Sequence, residues 1–436
     1  MWIGTKLHER LWVRIAAFLV FGYVLYNRNF AYIGIPGAKV FIGDVLLALY
    51  LALGTGIMIG PWFAGLVRPT LFSGFFWALL LFVMYGVLQF ARGVELGYSP
   101  VLALQELVFN VYPLYFFVGL KAALTYRDLI PKLLKYLTLA GCFGAVMFFV
   151  LRGAPAIGNF EMAWILVPMA GPWAVLGAIS YFDLRRWWPA VVLQIFMVLV
   201  GQVRAAWVGL AAAVVVQAVL TRKLKPLAWT AASVSALLLM GIITDFKMPS
   251  PEGRGGAVST HELVARALAP FDSETAYALS KKNAGVYAGT AEWRRKWWRA
   301  IWSSSQEDVE TSLLGHGYGY ALHELVPYLR TSEDLRTPHN VFYFALGYTG
   351  WIGVVLFFWV QASLGFILFR AAKSSGETFG IALWAWMLTG CMFGNGFETP
   401  FSAIPYYLLV GMAAADLDAK AVSAEVLVKA PALAPF

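Results

Sequence analysis

Long apolar runs alternate with short polar segments along most of the chain. Twelve of these runs have roughly the 17 to 25 residues that an α-helix needs to cross a bilayer. They lie at 11–26, 38–60, 70–91, 98–124, 133–151, 161–182, 187–203, 204–221, 226–244, 340–370, 378–395 and 402–417. The pattern predicts an all-α polytopic membrane protein with about twelve transmembrane helices.

One long polar segment, residues 245–338, interrupts this alternation, and we call it the polar loop. It holds 23 of the chain's 57 charged side chains. Within it, residues 261–268 and 291–302 have helical periodicity, and the second stretch carries four tryptophans and four basic residues. Tryptophan beside basic side chains is typical of amphipathic helices in the headgroup layer. We therefore expect these helices either to bind anionic lipid headgroups or simply to rest on the membrane.

These boundaries predict the organisation of the chain. Transmembrane helices one to nine occupy 1–244, the polar loop follows, and helices ten to twelve occupy 339–418. The tail at 419–436 is rich in Ala, Val and Pro and is predicted to be disordered. Because no small-x-small cleavage site follows the first apolar run, we expect that run to stay as an uncleaved helix.

Composition agrees with a membrane protein and excludes several classes of function. Hydrophobic residues make up 60% of the chain and charged residues 13%, with a mean hydropathy of +0.69. A water-soluble fold of this size could not bury so much apolar surface. The two cysteines lie inside apolar runs and offer neither a metal quartet nor a disulfide framework. The net charge of +9 is spread over loops, so we expect no nucleic-acid partner.

The basic residues of the short loops indicate how the chain crosses the membrane. With the N-terminus in the cytoplasm, seventeen lysines and arginines fall in cytoplasmic segments and five in the short outer segments. An excess of this kind on the cytoplasmic side is the expected bias of membrane proteins. We therefore expect both termini inside, the polar loop outside, and membrane lipids as partners.

Three arginines are candidates for binding an anion at the outer face. Arg204 stands at the outer end of a predicted helix, where its charge is costly unless it meets an anion, although it could also serve as a membrane anchor. Arg294 and Arg295 lie in the polar loop, with Trp298 one helical turn after the first of them. The planar fork of arginine fits phosphate oxygens, so converging arginines suit a diphosphate.

The segment that follows contributes a candidate base. Residues 314–320 form a glycine-rich turn, and residues 337–342 open a helix in which Pro338 restrains the entry. At the first turn of that helix, the imidazolium form of His339 would be disfavoured by the helix dipole. A neutral imidazole can act as a general base, although a lone histidine is commonly structural.

Acidic residues also cluster in the polar loop, and we expect them to be a solvated loop rather than a metal site. The cluster consists of Glu307, Asp308, Glu310, Glu333 and Asp334. No metal and no other cofactor is predicted.

Three motifs, in this order along the chain, resemble the bacterial O-antigen ligase and polymerase superfamily. They are Arg294-x-x-x-Trp298, then Leu-Leu-Gly-His-Gly-Tyr-Gly at 313–319, then Pro-His-Asn-Val-Phe at 338–342 followed by Gly-Tyr-Thr-Gly-Trp-Ile-Gly at 347–353. Arg204 is similar to that family's arginine after a tight turn between two spans. Several arginines surround Trp298, so the match falls on either Arg294 or Arg295.

The resemblance implies a GT-C-like glycosyltransferase of the bacterial inner membrane. Such an enzyme moves a glycan from undecaprenyl diphosphate to a sugar hydroxyl of lipid A-core oligosaccharide at the periplasmic face, without a metal. The residues implied are His339 as the catalytic base, Arg204, Arg294 and Arg295 as diphosphate ligands, and Asn340, Tyr318 and Arg266 as further substrate-binding residues.

Two kinds of alternative stay open. Within the same superfamily, the protein could be an O-antigen polymerase or a protein O-oligosaccharyltransferase; the short outer loops favour the ligase, because polymerases of this kind commonly have two substantial ones. A secondary transporter also has about twelve spans and binds its substrate near the bilayer midplane. Asp44 and Glu106 are candidates for such a site, yet both lie toward the outer ends of their predicted spans.

Overall fold

The computed structural model describes residues 2–35, 40–52, 73–151, 170–249, 257–269, 271–280, 284–326 and 337–429. These residues are almost entirely α-helical, which confirms the all-α part of the predicted fold class. Two short antiparallel ladders are also present. They pair β1 (Gly34–Ile35) with β2 (Val40–Phe41), and β3 (Met248–Pro249) with β4 (Ala257–Val258).

The α-helices follow one another in chain order, with short 3-10 helices at Tyr112–Leu114 and Leu322–Leu325. They are α1 (Trp2–Ala31), α2 (Ile42–Ala52), α3 (Ser73–Glu95), α4 (Pro100–Val111), α5 (Tyr115–Thr125), α6 (Leu129–Leu151), α7 (Gly171–Tyr181), α8 (Leu184–Val200), α9 (Arg204–Thr221), α10 (Lys225–Ile243), α11 (Thr260–Leu268), α12 (Ser273–Leu279), α13 (Ala284–Ser304), α14 (Val309–Leu314), α15 (Val341–Ser375), α16 (Phe379–Cys391) and α17 (Pro400–Lys429).

A helix, or the described part of one, lies at each of the twelve apolar runs. Six helical stretches are long and apolar enough to cross a membrane: Ser73–Glu95, Pro100–Thr125, Leu129–Phe148, Arg204–Thr221, Lys225–Ile243 and Val341–Ser375. Shorter apolar helices lie at Ile42–Ala52, Phe379–Cys391 and Pro400–Ala415. The chain is therefore an all-α membrane protein, while the number of twelve spans stays a prediction.

The helices pack closely through small residues. A side chain at Gly119 of α5 would collide with the carbonyl oxygen of Leu408 in α17, and one at Gly411 would collide with that of Phe116. Membrane helices approach in this way because packing and not hydrophobic burial holds them together in lipid. The same helix, α17, continues to Lys429, so the prediction of disorder is wrong for residues 419–429. The alanines of that stretch favour a helix; residues 430–436 lie outside the described part.

The polar loop is helical, and both predicted helices are present, as α11 and within α13. The prediction that the tryptophans of α13 lie among lipid headgroups is wrong for Trp297, which is fully buried and donates its indole N–H to the carbonyl of Leu322 at 2.9 Å. Trp298 donates to the carbonyl of Pro338 at 2.7 Å and stacks on Tyr343 of α15. Buried indoles need both packing and a hydrogen-bond acceptor, and here α15 and the loop before it supply them.

Helix α15 is broken at Gly350, whose φ of 61° and ψ of −167° lie outside the helical region. The break frees three successive carbonyl groups, and the surrounding structure supplies a donor to each. The backbone N–H of His316 donates to the carbonyl of Gly347, that of Gly317 to Tyr348, and the hydroxyl of Tyr85 to Thr349, at 2.7 to 3.0 Å. The glycine-rich turn is thereby fixed against the N-terminal part of α15.

Candidate active site

His339 lies immediately before α15. The sequence prediction that it occupies the first turn is wrong: Asn340 is the N-cap and the helix begins at Val341. The amide oxygen of Asn340 accepts from the backbone N–H groups of Phe342 and Tyr343, at 2.9 and 3.3 Å, which is why the helix starts there. His339 itself has a φ of 54°, a left-handed conformation that costs roughly 1–2 kcal/mol in a non-glycine residue. Strain of this kind is concentrated at functional sites.

His339 lines a cavity of about 640 Å³. One edge of its imidazole ring packs against Trp293, with the ring centroids 5.9 Å apart. Most of the cavity wall is apolar, but ionisable side chains from five separate parts of the chain also line it. Besides His339 they are Arg28, Tyr32, Asp44, Glu106, Tyr112 and Glu398. Asp44 and Glu106, the residues that suggested a transporter, therefore share one cavity with the candidate base.

The three carboxylates of the cavity differ in their partners. Asp44 accepts from the N–H of Phe41 at 2.9 Å and from the hydroxyl of Tyr112 at 3.1 Å. Glu106 accepts from the N–H of Gly319, in the glycine-rich turn, at 2.6 Å. Neither carboxylate oxygen of Glu398 has a hydrogen-bond partner among the described residues. Burial raises the pKa of Glu398 to about 7. The nearby backbone N–H groups of Glu398 and Gly396 oppose that rise, but neither has the distance and angle of a hydrogen bond to the carboxylate.

The turn at residues 392–399 joins α16 to α17. It carries Glu398, and it contacts both Arg294 and Asn340. Arg294 donates to the carbonyl of Phe393 at 3.1 Å, while the neighbouring Arg295 is exposed. Asn340 donates its amide N–H to the carbonyl of Met392 at 2.8 Å. The structure thus brings Arg294, and not Arg295, to this turn.

Arg204 begins α9 and approaches the same turn. A methyl group at Gly394 would lie 3.3 Å from the Cβ of Ala205, the residue after Arg204. Arg204 donates to the carbonyl of Arg266 in α11 at 3.4 Å, and Arg266 is only 7% exposed. The charge of Arg266 also acts on Arg204, and because two like charges repel each other, the pair favours a bound anion.

Two residues of the glycine-rich turn, Tyr318 and His316, use their side chains in contacts inside the protein. Tyr318 is fully buried, and its hydroxyl contacts the side-chain oxygen of Asn110 beneath the cavity. His316 lies 2.9 Å from the hydroxyl of Ser304 and stacks on Tyr320, and burial lowers its pKa. Both contacts fix the turn, so the structure gives Tyr318 a packing position and not one in the cavity wall.

The acidic cluster of the polar loop is exposed and serves local structure. Asp308 caps α14 by accepting from the N–H of Thr311 at 2.7 Å. Glu310, 67% exposed, pairs with Arg92 at 2.9 Å. Among the described residues, no group of three or more His, Cys, Asp or Glu side chains could hold a metal ion. Glu333 and Asp334 lie outside the described part.

Sequence reasoning found His339 and the arginines but missed Glu398. The available signal was a single acid in Gly396-Phe-Glu398-Thr-Pro400, between two strongly apolar runs. An ionisable residue in such surroundings is rare and is commonly functional. The functional interpretation of Glu398 depends on the cavity, which forms only when distant segments of the chain meet.

The fold and the site define a helical membrane protein with arginines and a histidine at one end of its helices. Residues 189–358 match the family model described as O-antigen ligase. The match covers less than half of the chain and supports membership of the O-antigen ligase and polymerase superfamily, whose members are glycosyltransferase-type enzymes acting on lipid-linked glycans. The matched segment contains Arg204, Arg294 and His339, while Glu398 lies beyond it. No curated protein matches the chain.

Proposed function

We propose that the protein is an O-antigen ligase of the bacterial inner membrane. It transfers a glycan from undecaprenyl diphosphate to a sugar hydroxyl of lipid A-core oligosaccharide at the periplasmic face. The proposal includes a GT-C-like arrangement of about twelve spans with both termini in the cytoplasm. The observation that carries it is the turn at 392–399, which contacts Arg294 and Asn340 while its Glu398 shares a cavity with His339.

The transfer needs a base and a means of stabilising the leaving group. The acceptor oxygen forms a bond to the first sugar carbon of the donor as the bond from that carbon to the diphosphate oxygen breaks. His339 takes the hydroxyl proton, and the lipid diphosphate leaves with the bonding electron pair. Charge develops on the phosphates, where Arg204, Arg294 and Arg266 stabilise it.

The residues around His339 orient it for this step. The amide oxygen of Asn340 caps α15, and its amide N–H group donates to the carbonyl of Met392. Asn340 therefore acts as a positioning residue rather than as a substrate ligand. Trp293 packs against the imidazole, and His339 lines the cavity. A general base positioned in this way contributes roughly 10²–10⁴-fold to rate.

The cavity also bears on the transporter alternative. Asp44 and Glu106 line it together with His339, and both already accept hydrogen bonds from the protein. A shared cavity with a candidate base favours an enzyme. Within the superfamily, the short outer loops of the sequence favour ligation over polymerisation.

A transfer assay with purified protein tests the proposal. The substrates are a lipid-linked glycan and rough-form lipopolysaccharide, and the product is lipopolysaccharide carrying the glycan. We expect wild-type protein to form this product, also in the presence of a chelator. We expect His339→Ala to form none while its thermal melt is retained.

The matched control is His261→Ala, which changes an exposed histidine at the start of α11. Substantial transfer by folded His339→Ala would remove His339 from the mechanism. A lengthened lipid-linked glycan, formed without lipopolysaccharide, would identify a polymerase instead. Inhibition by the chelator that a divalent ion reverses would contradict the role given to the arginines.

A further inference from the structure

Glu398 is an unusual residue for the wall of an apolar cavity. Its side chain is more than nine-tenths buried, with a relative exposure of 8%. Neither carboxylate oxygen has a hydrogen-bond partner, and no ion pair forms with it, among the described residues. Arg28 lines the same cavity, but its guanidinium lies over the ring of Phe401, 5.3 Å from the centroid. Buried polar groups are nearly always hydrogen-bonded, so this carboxyl calls for an explanation.

The other carboxylates of the cavity show what Glu398 lacks. Asp44 and Glu106 each accept from a backbone N–H, and Asp44 accepts from Tyr112 as well. Their oxygens are therefore partly used in holding α2, α4 and the glycine-rich turn in place. Glu398 is available to a ligand that enters the cavity.

The charges of the cavity limit what that ligand can be. Among the described residues, three acidic side chains and one arginine line it, so an anionic group such as the donor diphosphate is disfavoured. A resident metal is not favoured either, because no suitable group of ligands exists among the described residues. A neutral molecule rich in hydroxyl groups fits best, since each hydroxyl can donate to a carboxylate. The volume of about 640 Å³ is within the usual range for small-molecule sites, roughly 300–1,000 Å³.

We propose that this cavity binds the acceptor as an uncharged sugar, and that Glu398 accepts a hydrogen bond from a hydroxyl group beside the one that reacts. The proposal rests on the proposed function and adds the acceptor site to it. The proposal leaves the donor diphosphate to the arginines, of which Arg294 contacts the 392–399 turn at the carbonyl of Phe393. His339 lines the cavity and can reach the proton of the reacting hydroxyl.

The test measures the two substrates of the transfer reaction separately in Glu398→Gln and Glu398→Ala. The acceptor probe is rough-form lipopolysaccharide, and the donor probes are a lipid-linked glycan and its lipid-linked monosaccharide. We expect the KM for lipopolysaccharide to rise about ten- to a hundredfold in Glu398→Ala, because a hydrogen bond to a charged group is lost. The rise should be smaller in Glu398→Gln, because the amide oxygen still accepts a weaker hydrogen bond. The KM for both donors should stay unchanged. Glu95→Gln, which changes an exposed acid at the end of α3, is the matched control.

A competition experiment tests the charge selectivity. We expect methyl glucoside to compete with lipopolysaccharide more strongly than methyl glucuronoside does, because the carboxylates repel the second sugar. This difference should shrink in Glu398→Gln, which a merely structural role for Glu398 would not produce. Thermal melts of Glu398→Gln should be no lower than those of wild type, since an unpaired buried carboxyl has been replaced.

Each other outcome overturns the inference in a distinct way. A raised KM for the full donor, but not for the lipid-linked monosaccharide, would assign the cavity to the donor glycan. Unchanged constants for both substrates in an active Glu398→Gln variant would remove Glu398 from substrate binding. If wild-type protein transfers nothing to lipopolysaccharide, the proposed function fails instead.

Discussion

The Asn340 side chain joins the helix that follows His339 to the turn that carries Glu398, and its replacement should separate stability from activity. Its oxygen caps α15, and its N–H group donates to the carbonyl of Met392 at 2.8 Å. Losing a cap costs about 1 kcal/mol, and losing the second contact costs about 1 kcal/mol more. Asn340→Ala should therefore destabilise the protein by about 2 kcal/mol.

Asn340→Asp should separate the two contributions. Aspartate caps helices as well as asparagine does, so the start of α15 is kept. The carboxylate cannot donate, however, and it places a second oxygen against the carbonyl of Met392. The 392–399 turn should then shift, and displacements of about 1 Å at a reaction centre can lower the rate roughly a hundredfold. We expect a small loss of thermal stability together with a large loss of kcat in the transfer assay.

The control for cap loss alone is Asp272→Ala, which removes the N-cap of α12 by taking away its 3.0 Å contact with the N–H of Thr275. It should cost about 1 kcal/mol and leave transfer unchanged. Wild-type transfer by Asn340→Asp would refute the reasoning, because the link to Met392 would then not position the site.

Three further predictions concern charge. Arg294→Ala should raise the KM for the lipid donor about ten- to a hundredfold, and Arg294→Lys should restore it only in part. Arg295→Ala, which changes an exposed arginine, should alter that KM by no more than about twofold. Titration of the donor in the transfer assay measures both effects. Because the pKa of Glu398 is raised to about 7 in the folded protein, the fold binds this proton more tightly than the unfolded chain does. Stability should thus fall as pH rises from about 4.5 to 7, by up to about 3 kcal/mol, and thermal melts of Glu398→Gln should lack that part of the decline. In a variant without the native cysteines, Gly285→Cys should react with an impermeant thiol reagent applied from the periplasm and Lys223→Cys should not; the reverse labelling would invert the topology.

The sequence predicted helices better than it predicted their surroundings. Apolar period and length are local properties, so the helices of the apolar runs and of α11 and α13 could be located from them. The burial of Trp297 could not, because it depends on α15 and on a turn 25 residues further along the chain. A helix with tryptophans and arginines has the same composition whether it faces lipid or protein.

The same distinction holds for the candidate site, where some residues could be predicted from local sequence and others depend on the fold. His339 and Arg294 stand in motifs that a single stretch of sequence displays. The start of α15 was misplaced by two residues because Asn340 is a better cap than its neighbours, which is a matter of side-chain hydrogen bonding and not of hydrophobic pattern. Glu398 has no motif, and its environment arises only when α1, α2, α4 and the 392–399 turn meet.

The break in α15 has a consequence for how the protein is made. The carbonyls of Gly347 and Tyr348 are satisfied by backbone N–H groups of the polar loop, which the ribosome synthesises before α15. Unsatisfied carbonyls are costly in lipid, so a broken helix can settle there only beside its donors. With the polar loop outside the cytoplasm, as we propose, the loop has to fold there before the first turns of α15 can settle in the bilayer. His339 directly precedes those turns, so the candidate site assembles only after the loop has folded against them.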